Sequence, residues 1–167
     1  MHYYFRSKAQ LAHAVFAQAA SQLFPPVANV LMSDLSLEEK VRQVVKIELA
    51  TLSRNPNLPA YIIGEVNQAP ERAAQLLDAA EQLKSSGTLK RMRTVLQEQI
   101  NAEVAAGTMR KISAPQFLVN LLALCIFPFA TRPMVQAILS LDEKGVDRFL
   151  DERATEIPKF FLNALRP

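Results

Sequence analysis

The chain has 167 residues, of which 50% are hydrophobic and 21% charged, with a formal net charge of +3. That length suits one domain, or one domain and a remnant of another, with core enough to need no staples. The charge permits nucleic-acid contact without demanding it, and Lys90, Arg91 and Arg93 form the one basic cluster, on a solvated helix face.

Helical periodicity runs nearly throughout. Ser7 and Gln10 form a capping-box pair, followed by Leu11, Val15, Phe16, Ala19 and Leu23 at helical spacing. The stripe continues toward Met32 with a kink or break at Pro25-Pro26. Ser36 and Glu39 start a second helix, whose apolar face is Leu37, Val41, Val44, Val45 and Leu52. It ends near Arg54, before the turn chemistry of Asn55-Pro56-Asn57. Pro59 sits in the first turn of a short helix from about Leu58 to Asn67. Pro70 starts another, with Leu76, Leu77, Ala80 and Leu83 inward.

Ser85-Ser86-Gly87 is a loop or a mild helix defect. Beyond it, Leu89, Met92, Leu96, Ile100 and Val104 make an amphipathic stripe that Gly107 terminates. Ser113 and Pro115 restart the chain as cap and first-turn proline. The next helix is apolar almost all round from Phe117 to Phe127, so it must be covered on all sides, which implies a partner subunit. The last helix runs from about Glu143 to Leu165, with the stripe Val146, Phe149, Leu150, Arg153, Ile157, Phe160, Phe161 and Ala164, and a kink or restart at Pro158. No strand-like alternation is present, so the fold class is all-α.

Cys125 is the only cysteine and lies in an apolar run, which excludes an intramolecular disulfide and fits a reducing compartment. The apolar run from Phe117 to Ala130 is shorter than the roughly 20 residues of a membrane span, and Asn120 and Pro128 interrupt it. With no signal segment at the N-terminus, a cytoplasmic protein is expected. Catalytic motifs are missing: His2 and His13 are the only histidines, and no phosphate loop, metal-ligand spacing or nucleophile elbow is found. Glu38-Glu39 and Asp142-Glu143 stand at helix starts, where carboxylates meet the positive end of the dipole. No enzyme, cofactor or metal site is expected.

The segment His2-Tyr3-Tyr4-Phe5-Arg6-Ser7-Lys8-Ala9-Gln10-Leu11 resembles the end of the helix-turn-helix in TetR-family transcriptional regulators, an aromatic-rich stretch of the kind Y-x-x-F-x-[ST/N]-K-x-x-L. His2 stands where that family usually has tyrosine. Tyr3, Tyr4 and Lys8 are suited to DNA-backbone contact, since hydroxyls and a lysine at a helix N-terminus meet phosphate well. The resemblance implies residues 1–10 as a remnant of the DNA-reading unit and 11–167 as a TetR-type ligand-binding and dimerisation domain. It implies a ligand-responsive regulator, by family default a repressor, and a homodimer. The helices that read the major groove are then expected before Met1, so operator DNA binds the full-length parent and this chain weakly or not at all.

The resemblance further implies that the last two helices of each subunit pair into a four-helix interface. Here that points to Leu118, Leu121, Leu122, Cys125, Phe149, Arg153, Ile157, Phe160 and Phe161. A small, mostly apolar effector would enter among the central helices and shift the linking helix, about Ser7 to Leu23. Polar residues on apolar faces are the candidates to orient it: Glu48, Gln99 and Asn120, each otherwise a satisfied core or interface group. Tyr61, Met92, Leu96 and Phe127 either line the cavity or pack the core. Two other classes stay open. One is an all-helical small-molecule or lipid-binding interaction protein without DNA binding. The other is a helical enzyme whose site only the fold would assemble.

Overall fold

The computed structural model describes residues 14, 18, 21–68 and 86–167, and it is all-helical over them. The motif at 2–11, with Tyr3, Tyr4 and Lys8, and the helix expected after Pro70 lie outside the described residues. In chain order the helices are α1 (21–32), α2 (Leu37–Arg54), α3 (Leu58–Gln68), α4 (Thr88–Ala105), α5 (Ala114–Ala130), α6 (Arg132–Leu139) and α7 (Glu143–Asn163).

Local chemistry sets the helix ends. In α2, Glu39 N–H donates to Ser36 Oγ at 3.2 Å and Ser36 N–H donates to the Glu39 carboxylate at 3.1 Å, a reciprocal capping box. The Ser36 hydroxyl also donates to the Glu39 carboxylate at 2.7 Å, and this bond, with that from Ser36 N–H, favours the ionised form and holds the Glu39 pKa below its usual value. α4 ends in a Schellman motif: Thr108 N–H reaches Glu103 O at 3.1 Å and Gly107 N–H reaches Val104 O at 3.1 Å. Gly107 supplies the required left-handed conformation, at φ 73°. Ser113 Oγ caps α5 by accepting from Gln116 N–H, with Pro115 in the first turn. Asp142 Oδ1 caps α7 through Gly145 N–H at 2.7 Å.

α1 continues as helix through Pro25 and Pro26, and α7 through Pro158, so none of these prolines breaks its helix. α6, eight residues long, went unforeseen; it starts at Arg132-Pro133, and its axis turns 79° from α5. Arg132 fastens that corner to the start of α7 by ion pairs to Glu143 at 2.9 Å and Asp147 at 2.8 Å. The chain's own helices cover only part of α5. Phe117, Leu121, Cys125 and Pro128, spaced four, four and three residues apart, form its buried stripe. On other faces of the same helix Val119 remains 61% and Phe127 53% exposed.

α5 is the hub: it packs against α2, α3, α4, α6 and α7, and α2 also packs against α7. Phe117 meets Phe161 of α7 edge-on, with ring centroids 4.9 Å apart. Behind α4, Arg110 N–H donates to Leu165 O at 2.9 Å and its Nε to Ala164 O at 2.6 Å, occupying carbonyls left free at the end of α7.

Among the described residues, no single helix is long and apolar enough to cross a membrane. α5 and α6 pass that test only as a pair bent by 79°.

Candidate functional site: an apolar cavity with one buried carboxyl

The five helices α1 to α5 surround a cavity of about 410 Å³, inside the roughly 300–1,000 Å³ range of small-molecule sites. α1 contributes Leu23, Phe24, Val27, Ala28 and Leu31; α3 contributes Pro59, Ile62 and Ile63; α4 contributes Leu89 and Met92; and α5 contributes Leu118, Leu121, Leu122 and Ile126. The polar side chains in its described lining are Glu48, Thr51 and Asn55. They lie three and four residues apart, so one edge of α2 presents all three.

Two of the three are occupied with their own helix. Thr51 Oγ1 donates to Ile47 O at 2.9 Å, and Asn55 Nδ2 donates to Thr51 O at 3.3 Å. Glu48 differs: it is 1% exposed, and its Oε2 has no hydrogen-bond partner. The Cys125 thiol donates to the Glu48 carboxyl from α5. Burial away from water raises the Glu48 pKa to about 7, the thiol bond only partly opposing it. The same burial, with the Glu48 charge beside it, pushes the Cys125 thiol far up, so it stays protonated and is no nucleophile.

No protein-family model matches the chain. No curated protein matches it in sequence either.

Of the residues expected to line an effector pocket, the fold brings Glu48 and Met92 to the cavity. Leu96 is fully buried in the core and Tyr61 is half-buried on α3; neither belongs to the cavity's described lining. Gln99 is elsewhere because its amide is engaged: Nε2 donates to Leu35 O at 2.8 Å, and Oε1 accepts from Lys40 Nζ at 2.7 Å. Lys40, itself buried, also donates to Leu31 O at 3.0 Å, tying the end of α1 to α2 and α4. Desolvation lowers its pKa. Asn120 and Phe127 lie across α5, on a second groove of about 640 Å³ that also takes in α6, α7 and the 110–112 segment.

The residues expected at a subunit interface divide as well. Leu118, Leu121 and Leu122 line the cavity. Leu121, Cys125, Ile157 and Phe161 are buried by the chain's own helices. Phe149, Arg153, Phe160 and Phe161 border the second groove. There Phe127, Met134, Ile138, Leu139 and Phe160 are exposed apolar side chains, Phe160 at 65%. Clustered apolar exposure of this kind is a feature of association surfaces and of ligand grooves.

Arg153 stands at the floor of that groove. It donates to Leu124 O at 2.6 Å, and its guanidinium lies 5.8 Å from the Phe149 ring centroid. Its Nε has no partner, and burial lowers its pKa.

Thr51, Asn55 and the α1 lining were not among the residues expected at the site. Thr51 and Asn55 follow Glu48 at helical spacing and were legible on that ground; the α1 contribution was not, because Pro25-Pro26 reads as an interruption. Among the described residues no group of three or more His, Cys, Asp or Glu is placed to hold a metal.

Proposed function

We propose that this chain is the effector-binding and dimerisation body of a TetR-type, ligand-responsive transcription regulator, by default a repressor, acting in the cytoplasm without catalysis or cofactor. The observation that carries the reading is the apolar cavity whose buried carboxyl oxygen lacks a partner. An unsatisfied buried acceptor costs about 1–3 kcal/mol; a ligand that bonds it recovers that cost.

The gating element is α1. Five of its side chains line the cavity, and Lys40 pins its C-terminal end through Leu31 O. A guest pressed between α1 and α5 displaces α1 at the end away from Leu31 rather than at the pinned one. That end leads back to the segment resembling the TetR motif. In a homodimer closed over the α5–α7 groove, such a displacement changes the separation of two reading heads that must match half-sites roughly 34 Å apart. The guest shifts the equilibrium only by its difference in affinity for the two states.

The same cavity suits an all-helical carrier of small apolar molecules. The exposed apolar groove favours the dimeric regulator over it. Native mass spectrometry of protein purified from its cells tests the proposal: a dimer with one small molecule per subunit is expected, and an empty monomer contradicts it. Release of the protein from DNA upstream of its gene, by an extract of that bound molecule, distinguishes regulator from carrier.

A further inference from the structure

We propose that the cavity selects lipophilic amines, whose ammonium group pairs with the Glu48 carboxylate while the hydrocarbon fills the space between α1 and α5. This inference rests on reading the cavity as the effector site. Three observations carry it. The cavity walls are hydrocarbon on every element except α2. Glu48 is 1% exposed, borders the cavity, and leaves Oε2 without a partner. Its described lining contains no cationic side chain to neutralise that carboxyl.

Folding has already stripped the carboxyl of water, so binding bears only the desolvation of the ammonium. Preorganisation of that kind is what turns a buried ion pair into net affinity. A hydrogen bond between ionised partners is about twice as strong as a neutral one, which favours an amine over an alcohol of equal length. A carboxylate ligand brings like charge to Glu48 and is disfavoured.

The groups that face Glu48 keep the coupling simple. Cys125 on α5 donates its thiol hydrogen, and the Arg153 guanidinium of α7 acts on Cys125 from behind it. α1, α3 and α4 present no ionisable side chain to the described cavity. Glu48 ionises at about pH 7 and the ligand amine stays protonated well above that, so amine affinity rises with pH by about tenfold between pH 6 and pH 8.

The test is isothermal titration of the wild-type chain and Glu48→Gln with decylamine, decanol and decanoate, at pH 6 and pH 8. The wild type is expected to bind decylamine about tenfold tighter than decanol at pH 8 and decanoate most weakly. Decylamine alone strengthens with pH and releases a proton at pH 6, read from two buffers of different ionisation enthalpy. Glu48→Gln keeps decanol binding and loses both the amine preference and the proton release. Equal affinity for amine and alcohol, or an unchanged amine preference in Glu48→Gln, overturns the inference and leaves the effector site standing. Failure of all three probes to bind overturns both.

Discussion

The buried Glu48 carboxyl makes stability fall as pH rises. Its pKa is about 7 in the fold against an ordinary 4.5, so between those values the folded chain holds a proton that the unfolded chain has released. Stability from this group is therefore fully present below pH 4.5, declines by about 1.36 kcal/mol per pH unit, and levels off above pH 7. The accumulated loss is about 3 kcal/mol, a large share of the 5–15 kcal/mol typical of a domain. Glu48→Gln keeps the shape and removes the titration. Urea unfolding followed by far-UV circular dichroism suits a chain that has no tryptophan; protein concentration is held fixed because association adds to apparent stability. The variant is expected to match the wild type near pH 4.5 and to exceed it by about 3 kcal/mol at pH 8. Parallel pH profiles in the two proteins, or a wild type that is the more stable at pH 8, would refute the reasoning.

Other sites give separable outcomes. Lys40→Met strips Leu31 O and Gln99 Oε1 of their buried donor and should cost about 2–3 kcal/mol, read as a lower urea midpoint. Leu121→Glu and Phe160→Glu should part company. Leu121 is 1% exposed, so a charge there destabilises the subunit itself by several kcal/mol, roughly 3 or more. Phe160 lies on the apolar groove at 65% exposure, so its variant should remain folded by circular dichroism while light scattering reports monomers. A folded Leu121→Glu dimer, or a Phe160→Glu dimer, would count against the placement. Gly107→Ala forces an L side chain into the left-handed region at φ 73° and should lower stability by about 1–2 kcal/mol, with no effect on probe binding.

Helix starts and stops were legible because their chemistry is local. Ser36 with Glu39, Ser113 with Pro115, and Gly107 each satisfy backbone groups within a few residues, and each acts as its spacing implies. Two features were out of reach for physical reasons. A helix apolar all round has no amphipathic side, so nothing in the α5 sequence says that Leu121 faces the cavity while Phe127 faces the outer groove. Gln99 and Lys40 are 59 positions apart, and no local pattern announces a partner at that distance. Of the two readings its sequence position allows, cavity polar group or satisfied core group, Gln99 takes the second, bonding Leu35 O and Lys40. Glu48 was legible because a carboxyl within the stripe of Val41, Val44, Val45 and Leu52 breaks the pattern of its own face. α6 was hidden by its length, since eight residues carry too little periodicity to register.

Two apolar sites compete for any greasy molecule, the cavity between α1 and α5 and the outer groove on α5–α7. A methyl-resolved NMR titration with decanol separates them directly. The functional account predicts saturable shifts at Ile62, Met92 and Leu122, which line the cavity. Shifts confined to Met134, Ile138 and Leu139 of the groove, with the cavity methyls unmoved, would contradict it.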